Sequence, residues 1–216
     1  MTRKRYYFRF WLGLGVLALV IFPLCYKLGD APLRIWDESL FAMRAYHTAE
    51  TGAYLPNFDR FPGITFYRNL KPPFGTWFQA LSYNLFGYTE WALRMPVAVF
   101  LSFLMAFLIF RGHEMAGQSW AGVLAALILI GSPGFFRDHV ARTGDHDGIL
   151  LLWVVGGLWL GQILGQPIAR EKRRLVLFLW ILCLLGGFLT KSFFAWIMVP
   201  ACMLFWFLQG SLRSLW

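Results

Sequence analysis

Residues 140–153 read VARTGDHDGILLLW, and the change of character inside them decides the fold. Arg142, Asp145, His146 and Asp147 fall within six residues, and an unbroken apolar run starts at Ile149. A knot of charge set directly against such a run is how a polar loop meets the mouth of a membrane span. Composition generalises the point. The chain has 216 residues, 58% hydrophobic and 19% aromatic, with a mean hydropathy of +0.56. Only 14% of its residues are charged, too few to cover a water-soluble surface of this size. The reading is an all-α, polytopic transmembrane helical bundle. A net charge of +9 could suggest nucleic acid, but the basic residues are scattered between apolar runs and form no stripe, so no nucleic-acid partner is expected.

About 20 apolar residues cross roughly 30 Å of hydrocarbon. By that measure the candidate spans are residues 8–27, 91–111, 118–137, 148–169, 175–190 and 192–209, about six in all. The last two joined would make a helix of roughly 35 residues, about 52 Å long, too long for one crossing. Lys191 in the middle is costly in lipid, so Thr190-Lys191-Ser192 is expected as a tight turn between two short spans. The N-terminal MTRKRYYFRFWLGLGVLALVIF has a basic head and an apolar body but no small-residue cleavage site, and reads as a retained signal anchor. Cys25, Cys183 and Cys202 lie in apolar runs with no metal or redox spacing and read as buried thiols.

Charge sets an expected orientation. With the N-terminus inside, the cytoplasmic segments hold ten basic residues against only Glu114 and Glu171; the other face holds ten basic residues against nine acids. That asymmetry obeys the positive-inside rule for a protein of the cytoplasmic membrane. It places the opening stretch, as the second outer loop (138–147), on the same extracytoplasmic face as the first outer loop, residues 28–90. Within that first loop, DESLFAMRAYHTAETG has helical spacing and ends at Gly52 as a C-cap. PPFGTWFQALSYNLFG starts a helix at Pro and puts Phe74, Trp77, Phe78, Leu81 and Leu85 on one face, as suits a helix lying in the membrane interface. Residues 53–72 between them, rich in turn formers, are expected to be irregular.

Three charged clusters fall on the outer face. Asp37 and Glu38 open the first loop helix, where acids also serve simply as favourable partners of the helix dipole. Lys71 precedes Pro72 and Pro73; it reads either as an interfacial snorkelling residue or as a cation held beside a helix start to bind phosphate. Asp145, His146 and Asp147 have a weak metal-site look, but the apolar residues that follow rule out a calcium loop. A carboxylate acting as general base is the other reading, and Arg142 could pair with either acid.

In order along the chain, Trp36-Asp37-Glu38, Lys71-Pro72-Pro73, Arg94-Met95-Pro96, Arg142-Thr143-Gly144-Asp145-His146-Asp147 and Thr190-Lys191-Ser192 resemble the N-terminal half of the ArnT-like and protein O-mannosyltransferase superfamily of GT-C glycosyltransferases. The resemblance runs over nearly all of residues 1–216. It implies an enzyme that moves a sugar, with inversion, from a polyprenyl-phosphate carrier to a lipid, glycan or protein acceptor. It makes Asp37 the catalytic carboxylate, activating or positioning the acceptor hydroxyl, with Glu38 in the same catalytic group supporting the loop and Asp145 and Asp147 lining the same cavity. Lys71 would bind the lipid phosphate, with Arg142 and Lys191 as phosphate or structural partners, and Arg94 and His146 are further site candidates. No cofactor is required on this reading, though a divalent metal at Asp145, His146 and Asp147 is compatible with it. Leu70 stands where family members often carry an acid. The rival readings are a transporter or flippase for a lipid-linked sugar, and a non-catalytic membrane subunit.

Overall fold

The computed structural model describes residues 3–55, 58–61, 64–68, 71–116, 120–137 and 140–209. Helix α1 (Arg3–Cys25) leads through a loop to α2 (Asp37–Thr51), and α3 (Phe74–Phe86) and α4 (Glu90–Ala116) follow. Then come α5 (Ala121–Gly131), the short α6 (Pro133–Arg137), α7 (Asp147–Leu164) and α8 (Arg170–Lys191); a 3-10 helix (Ser192–Ile197) joins α8 to α9 (Met198–Leu208). Gly52 takes the left-handed conformation (φ 66°) that ends α2, as its position past the last periodic residue predicts.

The loop at residues 28–90 corrects one expectation. Where residues 53–72 read as irregular, β1 (Phe58–Phe61) and β2 (Ile64–Arg68) pair antiparallel, with Phe58 opposite Arg68 and Phe61 opposite Ile64. Aromatic and β-branched residues in both short runs favour the extended state, and this outweighs the surrounding turn formers. Residues 56–57, 62–63 and 69–70 lie outside the described residues, as do 138–139 of the loop before α7.

Three described helical segments are long and apolar enough to cross a membrane: Glu90–Gly112, Asp147–Leu164 and Arg170–Leu208. Leu14–Cys25 and Ala121–Gly131 are shorter apolar helices, so the six expected crossings are all represented by helix, but not all at full length. The third segment is not one rod. A Cβ on Gly157 would collide with Met198 and lie 3.4 Å from the Cys183 side chain, whereas one on Gly161 would collide with Cys202 and lie 3.4 Å from Trp180. Moving down α7 therefore means moving forward along α9 and backward along α8, so α9 folds back against α8. The reversal comes at Ser192 (φ 55°), within the expected Thr190-Lys191-Ser192 turn.

Small residues make these helix pairs possible, because apolar burial drives little association in lipid and close backbone packing must replace it. Gly122 of α5 has no room for a Cβ against the Leu108 carbonyl of α4, and Gly186 and Gly187 of α8 sit hard against Trp153 and Ala195. The Trp206 indole donates to the carbonyl of Gly161 at 2.8 Å. Val20 and Leu24 of α1, Val97, Leu101 and Leu104 of α4, Ala126 of α5 and Ile149 of α7 form one core; α7, α8 and α9 form a second around Cys183, Met198 and Cys202. Cys183 and Cys202 are thus buried as expected, but Cys25 is exposed.

Helix α3 turns its polar side inward. Thr76, Gln79 and Ser82 are buried, while Phe78, Leu81 and Leu85 of the apolar stripe face outward, as an interfacial or lipid-facing helix requires. This polar inner face, packed on α2 and α4, roofs one end of the bundle.

Candidate active site

Asp37 is the first residue of α2, and Trp36 before it holds a strained backbone (φ 100°, ψ −120°). The Asp37 carboxylate accepts a hydrogen bond from the Lys71 ammonium at 2.5 Å, although 34 residues separate them. Both groups are partly open to solvent, at 29% and 37%. One residue on, Glu38 points the opposite way, into protein. Its Oε1 accepts from Arg94 Nε at 2.7 Å and from the Gly144 amide at 2.7 Å; its Oε2 accepts from Arg94 at 3.1 Å and from the Arg34 amide at 2.8 Å. Burial pushes the Glu38 carboxyl up, but these donors and the Arg94 charge outweigh it and hold the group below the usual carboxylate range.

Arg94 also donates to the carbonyls of Leu28 (2.9 Å), Ala31 (2.8 Å) and Pro32 (3.0 Å). With the two bonds to Glu38, all five guanidinium N–H groups are used. Arg94 therefore ties the loop after α1 and the start of α2 to α4, and Glu38 extends that tie to Gly144 in the loop before α7. Arg142 does comparable work. Its guanidinium donates to Pro23 (2.8 Å), Tyr26 (2.6 Å) and Lys27 (3.0 Å), carbonyls left without helical partners where α1 ends. Both arginines were expected near a site; the geometry employs them as braces beneath it. The four non-glycine residues with positive φ among the described residues, Lys27, Trp36, Arg142 and Ser192, all lie in segments that surround this region.

The second wall comes from α7 and α8. Lys191 Nζ lies 2.5 Å from Asp147 Oδ1 and 3.2 Å from Asp145 Oδ1. Asp145 is buried and also accepts the His146 amide at 2.6 Å. Burial, helped by the negative charges of Asp147 and Asp37, pushes its carboxyl above the usual range against the pull of Lys191. Asp37 is thus among the charges that act on Asp145.

His146 joins them. Its ring, fully buried, stacks on Phe41 of α2 with centroids 3.8 Å apart. Its Nε2 lies 3.0 Å from Gln79 Oε1, and Gln79 Nε2 donates to the carbonyls of Gly144 (2.6 Å) and Leu93 (3.4 Å). With the amide nitrogen committed to two carbonyls, its oxygen faces the imidazole, so Nε2 carries the proton and donates. Burial first, then the charges of Lys191, Lys71 and Arg44, push the imidazole down to about 3. As pH drops from 6.5 toward 3, the unfolded chain takes up a proton that the folded one refuses, so His146 should lower stability progressively across that window. Glu38 adds a loss once pH falls into the ordinary carboxylate range, and Asp145 works in the opposite sense. Thermal unfolding in detergent at pH 7.5, 6.5 and 5.5 should therefore show a fall that is smaller in His146→Gln, which keeps the bond to Gln79; equal falls in both proteins would refute it.

The triplet Asp145-His146-Asp147 does not gather as a ligand set. The carboxylates close on the Lys191 ammonium, the imidazole turns to Gln79, and among the described residues no three His, Cys, Asp or Glu side chains are placed to hold a metal ion. Phe41 and Gln79 were missed by sequence reasoning. Gln79 carried a signal: with Thr76 and Ser82 it forms a polar side opposite the apolar stripe of α3. Phe41 carried none beyond lying one turn after Asp37.

The described helices form a membrane-type bundle whose interhelical loops bring carboxylates and lysines together, as an integral membrane protein with a polar site between its loops would. Residues 70–216 match the model of the dolichyl-phosphate-mannose-protein mannosyltransferase family, and the chain belongs to that family. The undecaprenyl phosphate-alpha-4-amino-4-deoxy-L-arabinose arabinosyl transferase of Pseudomonas savastanoi pv. phaseolicola is 30% identical over 190 residues, covering 84% of this chain and 33% of the relative. A putative mannosyltransferase, YkcB of Bacillus subtilis, is 26% identical over 192 residues, covering 82% of this chain and 24% of that protein. In fold, the chain is similar to the crystal structure of ArnT from Cupriavidus metallidurans bound to undecaprenyl phosphate, with a TM-score of 0.70 and 22% identity over 88% of this chain and 33% of that one. The chain thus spans a third or less of the length of these relatives.

Proposed function

We propose that this chain carries the reaction face of a glycosyltransferase that moves a sugar from a polyprenyl-phosphate carrier to a hydroxyl of a lipid, glycan or protein acceptor. The observation that carries the reading is the Asp37–Lys71 pair, a partly open carboxylate and ammonium at the end of the helical bundle, with Lys191, Asp145 and Asp147 as the facing wall. An amphiphilic phosphate needs a cation at the depth where lipid meets water, and a hydroxyl nucleophile needs a base beside it. The acceptor oxygen attacks the anomeric carbon while its proton passes to Asp37. The bond from that carbon to the phosphate oxygen breaks with inversion, and the polyprenyl phosphate leaves with the electron pair, its charge held by Lys71. Because Lys71 rests on Asp37, an arriving phosphate competes for the ammonium and frees the carboxylate to act as base. Glu38 and Arg94 position Asp37, and Arg142 braces α1. The excess of basic residues on the opposite segments supports a reading with this face on the extracytoplasmic side of the cytoplasmic membrane and the N-terminus inside. Several side chains in that charge balance, Arg3 and Arg213 among them, lie outside the described ones.

The test is transfer in proteoliposomes from a radiolabelled polyprenyl-phosphate sugar, scoring both labelled acceptor and freed polyprenyl phosphate. Lys71→Ala should raise the donor KM by about 10- to 100-fold, the worth of one charge-assisted contact. Movement of the lipid-linked sugar across the bilayer with no transfer product would establish the transporter reading instead.

A further inference from the structure

We propose that Phe41 is a positioning residue that sets the Lys71 ammonium for the donor phosphate through the face of its ring. The inference rests on the reading of Lys71 as the phosphate-binding group. Phe41 lies four residues after Asp37, one turn along the same side of α2, and is buried. The Lys71 ammonium stands over its ring, 4.7 Å from the centroid, well inside the range of a cation–π attraction. The ring cannot slip away. His146 stacks on it at 3.8 Å, Gln79 holds His146 at 3.0 Å, and Gly75 lies so close that a Cβ there would collide with the imidazole.

This backing matters when the phosphate arrives. The carboxylate of Asp37 cancels the charge of the ammonium it holds and must give way to the phosphate. The aromatic face attracts a cation through its quadrupole and leaves the charge in place. Phe41 can therefore keep Lys71 located in the liganded state, where Asp37 no longer does. The neutral imidazole behind the ring adds no positive charge, and the Arg44 guanidinium lies farther from the same centroid, at 5.9 Å, than the Lys71 ammonium.

The experiment measures the Kd of undecaprenyl phosphate for the full chain in nanodiscs. Phe41 is replaced by 4-fluoro-, 3,5-difluoro- and 3,4,5-trifluorophenylalanine, which drain the ring quadrupole with little change of volume. The Kd should rise with each fluorine, reaching about 3- to 30-fold for the trifluoro ring, with thermal stability nearly unchanged. Phe41→Leu should weaken binding at least as much. A flat Kd across the fluorine series, with Lys71→Ala still losing binding, would overturn the role of Phe41 and leave the phosphate reading standing. Undiminished binding by Lys71→Ala would overturn both.

Discussion

Asp37→Asn should lower sugar transfer by about 100- to 10,000-fold, the range expected when a general base is removed. The substitution keeps the shape of the side chain and its place at the start of α2, so the loss is chemical. An amide cannot take the proton of the acceptor hydroxyl. Lys71, released from the carboxylate it now holds at 2.5 Å, gains charge available to the donor. Binding of undecaprenyl phosphate should therefore be unchanged or tighter while turnover collapses. Asp37→Glu should recover part of the rate, because a carboxylate on a longer stem can still reach. Transfer at the wild-type rate by Asp37→Asn would remove Asp37 from the mechanism. A parallel loss of lipid binding would recast it as a structural partner of Lys71.

Arg94→Ala should be the most damaging change to stability, by about 3–5 kcal/mol. It leaves the buried Glu38 carboxylate without its cation and strips donors from the carbonyls of Leu28, Ala31 and Pro32. Arg94→Lys should rescue little, since an ammonium cannot reproduce the planar fork that serves four groups at once. The double change Arg94→Met with Glu38→Gln should unfold at a higher temperature than Arg94→Ala alone, because it removes the stranded charge together with its partner. Thermal unfolding followed by tryptophan fluorescence decides the matter. An Arg94→Ala protein that melts within a degree or two of wild type would show that the network contributes little.

The membrane bundle was largely legible in the residues. Long apolar runs, Lys191 interrupting the last of them, Gly52 after a periodic segment and Pro at the start of α3 all act locally, through chain length, solvation and backbone geometry. The hairpin at Phe58–Arg68 was not legible, because its runs are short and lie among turn formers. Of the candidate site, Asp37, Lys71, Asp145, Asp147 and Lys191 could be named, since ionisable groups beside apolar runs are costly and stand out. Which of them would pair could not. Glu38 and Arg94 are 56 residues apart, Asp37 and Lys71 34, and Gln79 and His146 67.

The sequence by itself thus determined that this is a helical membrane protein with charge gathered at the loops between its spans, and which residues carry that charge. Only the tertiary structure decided the division of labour among them. Of two adjacent acids, Glu38 is locked into protein with Arg94 and Gly144, while Asp37 is left partly open on Lys71. Arg142 is given to the end of α1, and the D-x-D pair to Lys191 rather than to a metal ligand set. The physical reason is that charge type and exposure to lipid are properties of the local chain. Whether a charge is spent on structure or kept for chemistry depends on which distant group folding brings within 3 Å of it.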